Sequence, residues 1–174
     1  AREFNRQMSK ASVILFSDSS MNIGGQELQA IQQMRALNTK GYRTLLLCKP
    51  ESAISQYAER LNLEFMEVSF RNAFHFPSFF QLLYIVKKNR PIAMVCHGSH
   101  DALICALAGM MQFLLHGKRI PVFRVKTFQH GYPLSFAYNY LFSKTITPSL
   151  YLRSLFLKNT AIKSSKVRVL YPGI

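Results

Sequence analysis

Two adjacent glycines, Gly24 and Gly25, form the first pattern in the sequence that points to a ligand. They follow an apolar run at residues 12–17, typical of a buried strand, and precede a helical pattern at residues 26–39. The free N–H groups at the start of a helix attract anions, and glycine lets a ligand approach the backbone closely. We therefore expect a phosphate or another anion here. The spacing fits neither the dinucleotide-binding G-x-G-x-x-G pattern nor a P-loop.

Histidines mark the ends of two further apolar runs. His97 closes the run at residues 92–97, with Ser99 just beyond it, and His130 follows the run at residues 122–128. An imidazole can serve as an acid, as a base or as a hydrogen-bond donor to a sugar or phosphate. We expect these side chains to lie at the same ligand-binding edge as the glycine pair.

Other kinds of site are not expected. His97, His100 and Asp101 lack the helical i, i+4 spacing of metal-ligand pairs, so we expect no bound metal, and Asp101 is predicted to cap the helix that follows. The absence of a Gly-x-Ser-x-Gly motif argues against a serine hydrolase.

No two cysteines are closely spaced, and each lies in an apolar run, so we expect reduced, buried thiols at Cys48, Cys96 and Cys105.

Short apolar runs alternate with longer helical patterns along the whole chain. This alternation predicts an α/β domain: a doubly wound, mostly parallel Rossmann-like sheet with helices on both faces. In such folds ligands bind beyond the carboxyl ends of the strands. The predicted strands are residues 12–17, 43–48, 63–69, 92–97, 122–128, 145–147 and 167–170, and the predicted helices are residues 26–39, 52–62, 77–88, 101–115 and 149–157.

The composition fits one folded domain. The chain has 174 residues, of which 49% are hydrophobic and 17% charged, which excludes a disordered chain. We expect residues 1–11 to be a disordered or expression-derived segment and residues 12–174 to form the domain. The most apolar stretch, residues 102–115, is shorter than the roughly 20 residues that cross a bilayer, so no transmembrane span is expected.

The positive charge is unevenly distributed. The net charge is +14, and residues 102–174 contain 10 basic residues and no acidic one. Such a surface attracts nucleic acid, anionic lipid or phosphorylated substrates. Aromatic residues cluster near some of these cations; most are expected in the core, while a minority is expected to form an apolar lip at a membrane surface. They are Phe74, Phe76, Phe79, Phe80, Phe136, Tyr138, Tyr140 and Phe142.

In order and spacing, these elements resemble the N-terminal half of a GT-B glycosyltransferase, in the large retaining family often called family 4. The resemblance covers residues 12–174. The segments that carry it are Gly24-Gly25-Gln26-Glu27 after the first strand, Lys40-Gly41-Tyr42 before the second, Arg90-Pro91 before the fourth, His97 and His130 after the fourth and fifth, Thr147-Pro148-Ser149, and Tyr171-Pro172-Gly173-Ile174 at the end.

The resemblance implies roles for particular residues. In the family the Gly-Gly loop approaches the donor phosphates, which assigns Gly24 and Gly25 to donor phosphate binding. The histidine after the fifth strand contacts the transferred sugar, which makes His130 the expected catalytic residue. The remaining polar residues at this edge are expected to bind acceptor hydroxyls: Gln26, His97 and Ser99. The implied reaction is transfer with retention of configuration, without a metal or other cofactor.

The resemblance also implies partners and a location. A GT-B enzyme has two Rossmann-like domains, and the second holds most of the nucleotide-sugar. We therefore expect this chain to be an acceptor-side domain that ends at the interdomain linker, lacks its own C-terminal domain and is inactive alone. The complete enzyme is expected to be a hexosyltransferase that modifies a lipopolysaccharide, capsule or lipid-linked acceptor. It is expected in the cytoplasm, peripherally on the inner face of an anionic cytoplasmic membrane.

Two alternative functions remain open. One is the nucleotide-binding domain of an oxidoreductase or sugar epimerase, against which stand the missing G-x-G-x-x-G and the lack of an acidic residue after the second strand, at Leu47-Cys48-Lys49. The other is a basic module that binds nucleic acid or another polyanion, suggested by the charge. No signature of a nucleic-acid-binding domain is present, so nucleic acid is not the expected partner.

Overall fold

The predicted α/β architecture is confirmed. A computed structural model of the chain describes residues 12–72, 75–127 and 135–171, which contain one seven-stranded sheet in the order β3-β2-β1-β4-β5-β6-β7. Every pair of neighbouring strands is parallel. The strands are β1 Val13–Asp18, β2 Arg43–Cys48, β3 Phe65–Glu67, β4 Ala93–Cys96, β5 Val122–Val125, β6 Lys144–Thr147 and β7 Val167–Val169.

Five α-helices connect these strands within the described residues. They are α1 Gly25–Thr39, α2 Ala53–Arg60, α3 Phe76–Asn89, α4 Ser99–His116 and α5 Leu150–Phe156, and all five were predicted within a few residues of these bounds. A π-helical turn, Ala137–Leu141, and a 3₁₀ turn, Ser164–Lys166, were not predicted because such short segments show no apolar period.

Local side-chain chemistry sets several of the helix ends. Ser52 caps α2, as predicted, by accepting a hydrogen bond from the Ser55 N–H. Arg90, in the left-handed conformation, ends α3 just before Pro91.

The predicted cap of α4 is wrong: α4 begins at Ser99 with Gly98 as its N-cap, and Asp101 lies inside the first turn. Asp101 is drawn inward because its carboxylate accepts a hydrogen bond from the β1 side chain Ser17.

Two hydrophobic clusters lie on opposite faces of the sheet. On one face α3 and α4 cover residues such as Leu15, Leu47 and Met94, while on the other α1 and α2 cover Ile14 and Phe16. Alternate residues of β1 and β2 point to opposite faces, so both strands are buried along almost their whole length. The three cysteines are free and buried, as predicted.

One part of the sheet has an open face within the described residues. The helices α1 and α2 lie over the β1–β3 half, and beyond them an apolar groove of about 350 Å³ runs over β4, β5 and β6 beside α1. Its floor includes Val95, Phe123, Val125 and Ile146.

The aromatic clusters divide between the core and the surface. Phe142 is buried, and Phe79 and Tyr138 pack against the core. The prediction that most of them lie in the core is wrong, because four of the seven described aromatics lie on the outward sides of their helical segments and are exposed: Phe76, Phe80, Phe136 and Tyr140. Phe74 lies outside the described residues.

Within residues 12–72, 75–127 and 135–171, no helix combines the length and the apolar character that crossing a membrane requires.

The order of the strands locates the ligand-binding edge. The chain runs from β1 outward through β2 and β3, then returns to the other side of β1 to form β4. At this reversal the loops after β1 and β4 diverge and leave a crevice at the carboxyl ends of the two strands. The glycine pair follows β1, and His97 follows β4, so both lie at this crevice.

Substitution of Leu47 tests whether the core lies between the sheet and its helices. The Leu47 side chain lies in β2 and is fully buried, so Leu47→Ala leaves a cavity and is expected to lower the free energy of unfolding by about 2–5 kcal/mol. Leu150→Ala, at an exposed position of α5, should change it by no more than about 0.5 kcal/mol. Urea denaturation measures both values, and equal effects would contradict this description of the core.

Candidate functional site

The glycine pair leaves open backbone at the start of α1. Gly24 is the N-cap and Gly25 the first helical residue, and both are exposed. The Gly24 N–H donates to Glu27 Oε2 at 2.8 Å, so an internal carboxylate already occupies one donor. A Cβ added to Gly25 would meet no atom within 4 Å. A ligand can therefore reach the helix N-terminus most directly at Gly25.

Gln26 joins the ends of three strands. Its Nε2 donates to the carbonyl oxygen of His97 at 3.2 Å and lies 3.5 Å from Asp18 Oδ2, and its Oε1 accepts from Thr127 Oγ1 at 2.8 Å. These partners follow or end β1, β4 and β5. Gln26 is half-buried and both polar ends of its side chain are engaged, so in this conformation it holds the crevice together.

His97 lies behind the wall of the crevice. The residue is 2% exposed, and its ring stacks on Phe16 with the ring centroids 6.1 Å apart. Neither ring nitrogen has a hydrogen-bond partner among the described residues. Burial, reinforced by the charge of Arg124 and opposed by that of Asp101, lowers the pKa of His97 to about 4, so the ring is neutral at pH 7.

The other predicted ligand-binding residues differ in their placement. Ser99 is exposed as the first residue of α4, and its Oγ accepts a hydrogen bond from Arg124 at 3.3 Å. His130 lies outside the described residues, and its catalytic role stays a prediction. The donor role of Gly24 and Gly25 and the acceptor roles of Gln26, His97 and Ser99 also stay predictions.

Sequence reasoning missed a buried polar cluster beneath the crevice, which we call the strand-end cluster: Ser17, Asp18, His97, Asp101 and Arg124. The Arg124 guanidinium donates to the carbonyl oxygens of Cys96 and His97, which fixes the end of β4. A cation within the apolar run Val122-Phe123-Arg124-Val125 and an acid closing the run of β1 were the available signals.

Two carboxyl groups of this cluster lie close to each other. The Ser17 hydroxyl donates to Asp101 Oδ2 at 2.5 Å, and the Ser20 N–H donates to Asp18 Oδ1 at 2.8 Å. Burial, together with the charge of Asp101, raises the pKa of Asp18 to about 7. Asp18 is therefore partly protonated at neutral pH. Because it has no exposed surface, we assign it a positioning role rather than contact with a ligand.

The described residues contain no group of three His, Cys, Asp or Glu side chains placed to hold a metal ion. In particular, His97, His100 and Asp101 do not converge, because His97 and Asp101 are buried while His100 is exposed.

Gly98 tests how tightly the crevice wall is packed. A Cβ at this position would lie well within 3.0 Å of Asp101 Oδ1 and Ser19 Oγ. Gly98→Ala must displace one of these groups, and we expect it to lower the free energy of unfolding by about 2 kcal/mol or more. Gly25→Ala, with open space around its Cβ, should change it by less than about 0.5 kcal/mol. Thermal or urea unfolding of the two variants checks the contrast.

Asp18→Asn tests the buried proton. Because the pKa of Asp18 is raised from 3.8 to about 7, the folded state binds this proton more tightly than the unfolded state, and wild-type stability falls as pH rises between these values. We expect the free energy of unfolding of Asp18→Asn to exceed that of the wild type by on the order of 4 kcal/mol near pH 8, and by less than half as much near pH 5.

Urea unfolding at both pH values measures this difference. His97 contributes the opposite slope between its folded value of about 4 and its usual 6.5, but it does so in both proteins and cancels in the comparison. A difference that does not change between the two pH values would contradict the raised pKa of Asp18.

Comparisons with known proteins agree on the fold. A glycosyltransferase from Rickettsia africae ESF-5 superposes with a TM-score of 0.77 at 17% identity, covering 95% of this chain and 44% of that chain. Anabaena Alr3699/HepE in complex with UDP-glucose gives 0.72 at 16% identity, covering 93% and 44%. The lipopolysaccharide outer core galactosyltransferase WaaB, in its apo form, gives 0.62 at 11% identity, covering 94% and 46%.

At these identities the likeness shows the fold alone, which is that of one half of a GT-B glycosyltransferase. The chain spans less than half the length of each of these structures. A search of curated proteins found no match. The profile of Glycosyltransferase Family 4, however, matches residues 23–174, from just before the glycine pair to the last residue. Since that match covers most of its length, this chain belongs to Glycosyltransferase Family 4.

Proposed function

We propose that this chain is the acceptor-side domain of a retaining glycosyltransferase, which transfers a hexose from a nucleotide-sugar to an acceptor of the cell envelope. The observation that carries the proposal is the open backbone of Gly25 at the crevice between β1 and β4, in a chain of Glycosyltransferase Family 4. A helix N-terminus at such a crevice favours the diphosphate of a donor.

Two of the similar structures support the choice of substrates. One is described as a complex with UDP-glucose, and another as a lipopolysaccharide outer core galactosyltransferase. Both fit a nucleoside-diphosphate sugar as donor and a saccharide or lipid-linked saccharide as acceptor. We place the acceptor at the inner face of the cytoplasmic membrane.

The described residues contribute mainly position and electrostatics. The N-terminus of α1 stabilises negative charge on the diphosphate as the sugar–phosphate bond breaks. Ser99, at the start of α4, offers an exposed hydroxyl beside the crevice for an acceptor group. The strand-end cluster keeps the loops after β1 and β4 in place, so that little reorganisation is needed when the substrates bind.

In the proposed enzyme, catalysis requires a protein longer than this chain. The similar structures are more than twice the length of this chain, and in the proposed enzyme a second domain binds most of the donor. We propose that the 174-residue chain transfers no sugar by itself, that His130 contacts the transferred sugar, and that the reaction needs no metal or other cofactor.

Substitutions in the longer protein test the site. Gly25→Val places its Cβ in open space at the site proposed for the diphosphate, so we expect it to lower transfer by about 100-fold or more while the domain stays folded. We expect a similar loss for His130→Ala. Thr39→Val, a substitution of similar shape at the exposed opposite end of α1, is the matched control and should retain activity.

The readout is UDP release from UDP-glucose and other UDP-sugars in the presence of a cell-envelope lipid extract. Full activity in both Gly25→Val and His130→Ala would contradict the site. Activity abolished by EDTA would contradict the metal-independent reaction, and inversion of the anomeric configuration, seen by NMR of the product, would contradict retention.

A further inference from the structure

The outer surface of α3 and α4 carries an unusual number of exposed apolar side chains. Phe76, Phe80 and Tyr84 are 70%, 63% and 62% exposed, and because they are spaced by four residues they form one stripe along α3. Leu114 and Leu115 near the end of α4 are 69% and 65% exposed. Together with Met110 and Phe113 we call these seven residues the α3–α4 face.

This surface is a concave patch rather than a set of scattered residues. Between the two helices lies a groove of about 190 Å³, lined by apolar side chains that include Phe76, Phe79, Leu107, Met111 and Leu114. Contiguous apolar surfaces of this kind mark a site of association with a partner or a membrane.

Basic residues border this surface at one end. Lys87, Lys88 and Arg90 end α3, and Lys118 and Arg119 follow α4. The ends of the two helices enclose a second cavity, of about 340 Å³, whose lining includes Lys87, Arg90, His116 and Lys118. We call these cations, with Lys144, Lys163 and Lys166 at the starts of β6 and β7, the cationic edge.

The cations of this edge lie close together without acidic partners. Burial and the charges of Arg119, Lys144 and Lys163 lower the pKa of Lys166. Within the described residues the one ion pair joins Arg43 to Glu64, at the start of β2. The exposed surfaces of α3 and α4 contain no acidic residue, because Asp101 is buried.

We propose that the α3–α4 face and the cationic edge form a docking surface for an anionic lipid bilayer. The apolar side chains enter the interfacial region, while the cations at the helix ends contact lipid phosphates. A bilayer surface is itself layered in this way, with anionic headgroups above an apolar interior, which matches an apolar stripe bordered by cations. The proposal deepens the membrane location of the proposed function, but it does not depend on glycosyl transfer.

Vesicle flotation of the 174-residue chain tests the surface. We expect binding to phosphatidylcholine vesicles that contain about 30% phosphatidylglycerol, at least tenfold weaker binding to pure phosphatidylcholine, and loss of affinity as salt rises. Leu114→Gln/Leu115→Gln should weaken binding by about tenfold or more, because the apolar contact is removed without a change in charge. Lys87→Gln/Lys88→Gln should reduce the dependence on phosphatidylglycerol.

Matched controls come from other parts of the surface. Leu28→Gln/Leu150→Gln replaces two exposed leucines of α1 and α5, and Arg35→Gln/Lys40→Gln removes two exposed charges at α1. Both controls should bind vesicles like the wild type. All of these positions are exposed, and circular dichroism verifies that each variant is folded.

Several outcomes would overturn the proposal. The first is equal binding to both kinds of vesicle, and the second is unchanged binding by Leu114→Gln/Leu115→Gln. The third is a wild-type chain that binds no vesicles, and if this variant then abolished dimerisation or RNA binding, the α3–α4 face would have a different partner. The assay contains no donor sugar, so it is independent of the proposed reaction. Vesicle binding without transferase activity in the longer protein would reject the proposed function alone, and the reverse result would reject the docking surface alone.

Discussion

The hydrogen bond between the Ser17 hydroxyl and the Asp101 carboxylate joins the end of β1 to the first turn of α4. It crosses the point where the strand order reverses, and Gly98 leaves just enough room for it beneath the loop after β4. This contact holds the end of β1 and the N-terminus of α4 together, and Gln26 joins α1 to the same strand ends. The packing therefore fixes the crevice before any ligand binds.

Buried charge gives this region its chemical character. Burial disfavours the charged forms of Asp18 and His97. The surrounding groups compensate for this burial only in part, since neither ring nitrogen of His97 has a hydrogen-bond partner among the described residues. Arg124 donates to two carbonyl oxygens at the end of β4, and Asp18 accepts a backbone N–H. Such a network is costly to disturb and holds the surrounding backbone rigidly. A domain that positions substrates needs a backbone that is preorganised in this way.

The molecule separates its two proposed roles in space. The helix N-termini and the crevice lie at the carboxyl ends of the strands, where donor and acceptor are proposed to meet. The C-termini of α3 and α4 lie at the opposite end, because connecting helices run antiparallel to the strands, and the cationic edge is found there. Five of the ten basic residues of the segment 102–174 belong to this edge: Lys118, Arg119, Lys144, Lys163 and Lys166. A bilayer contact there leaves the crevice open.

The sequence by itself determined the alternation of strands and helices, the parallel sheet, the family and the placement of Gly24 and Gly25 beside the crevice. These follow from periodicity and local turn chemistry, which act over a few residues. Only the tertiary structure decided that His97 is buried, that Gln26 bonds to Thr127, 101 positions away, and that Asp101 turns inward. It also decided which aromatic residues face outward. The physical reason is that burial and hydrogen-bond partners depend on which distant segments pack together, and local sequence patterns do not specify that packing.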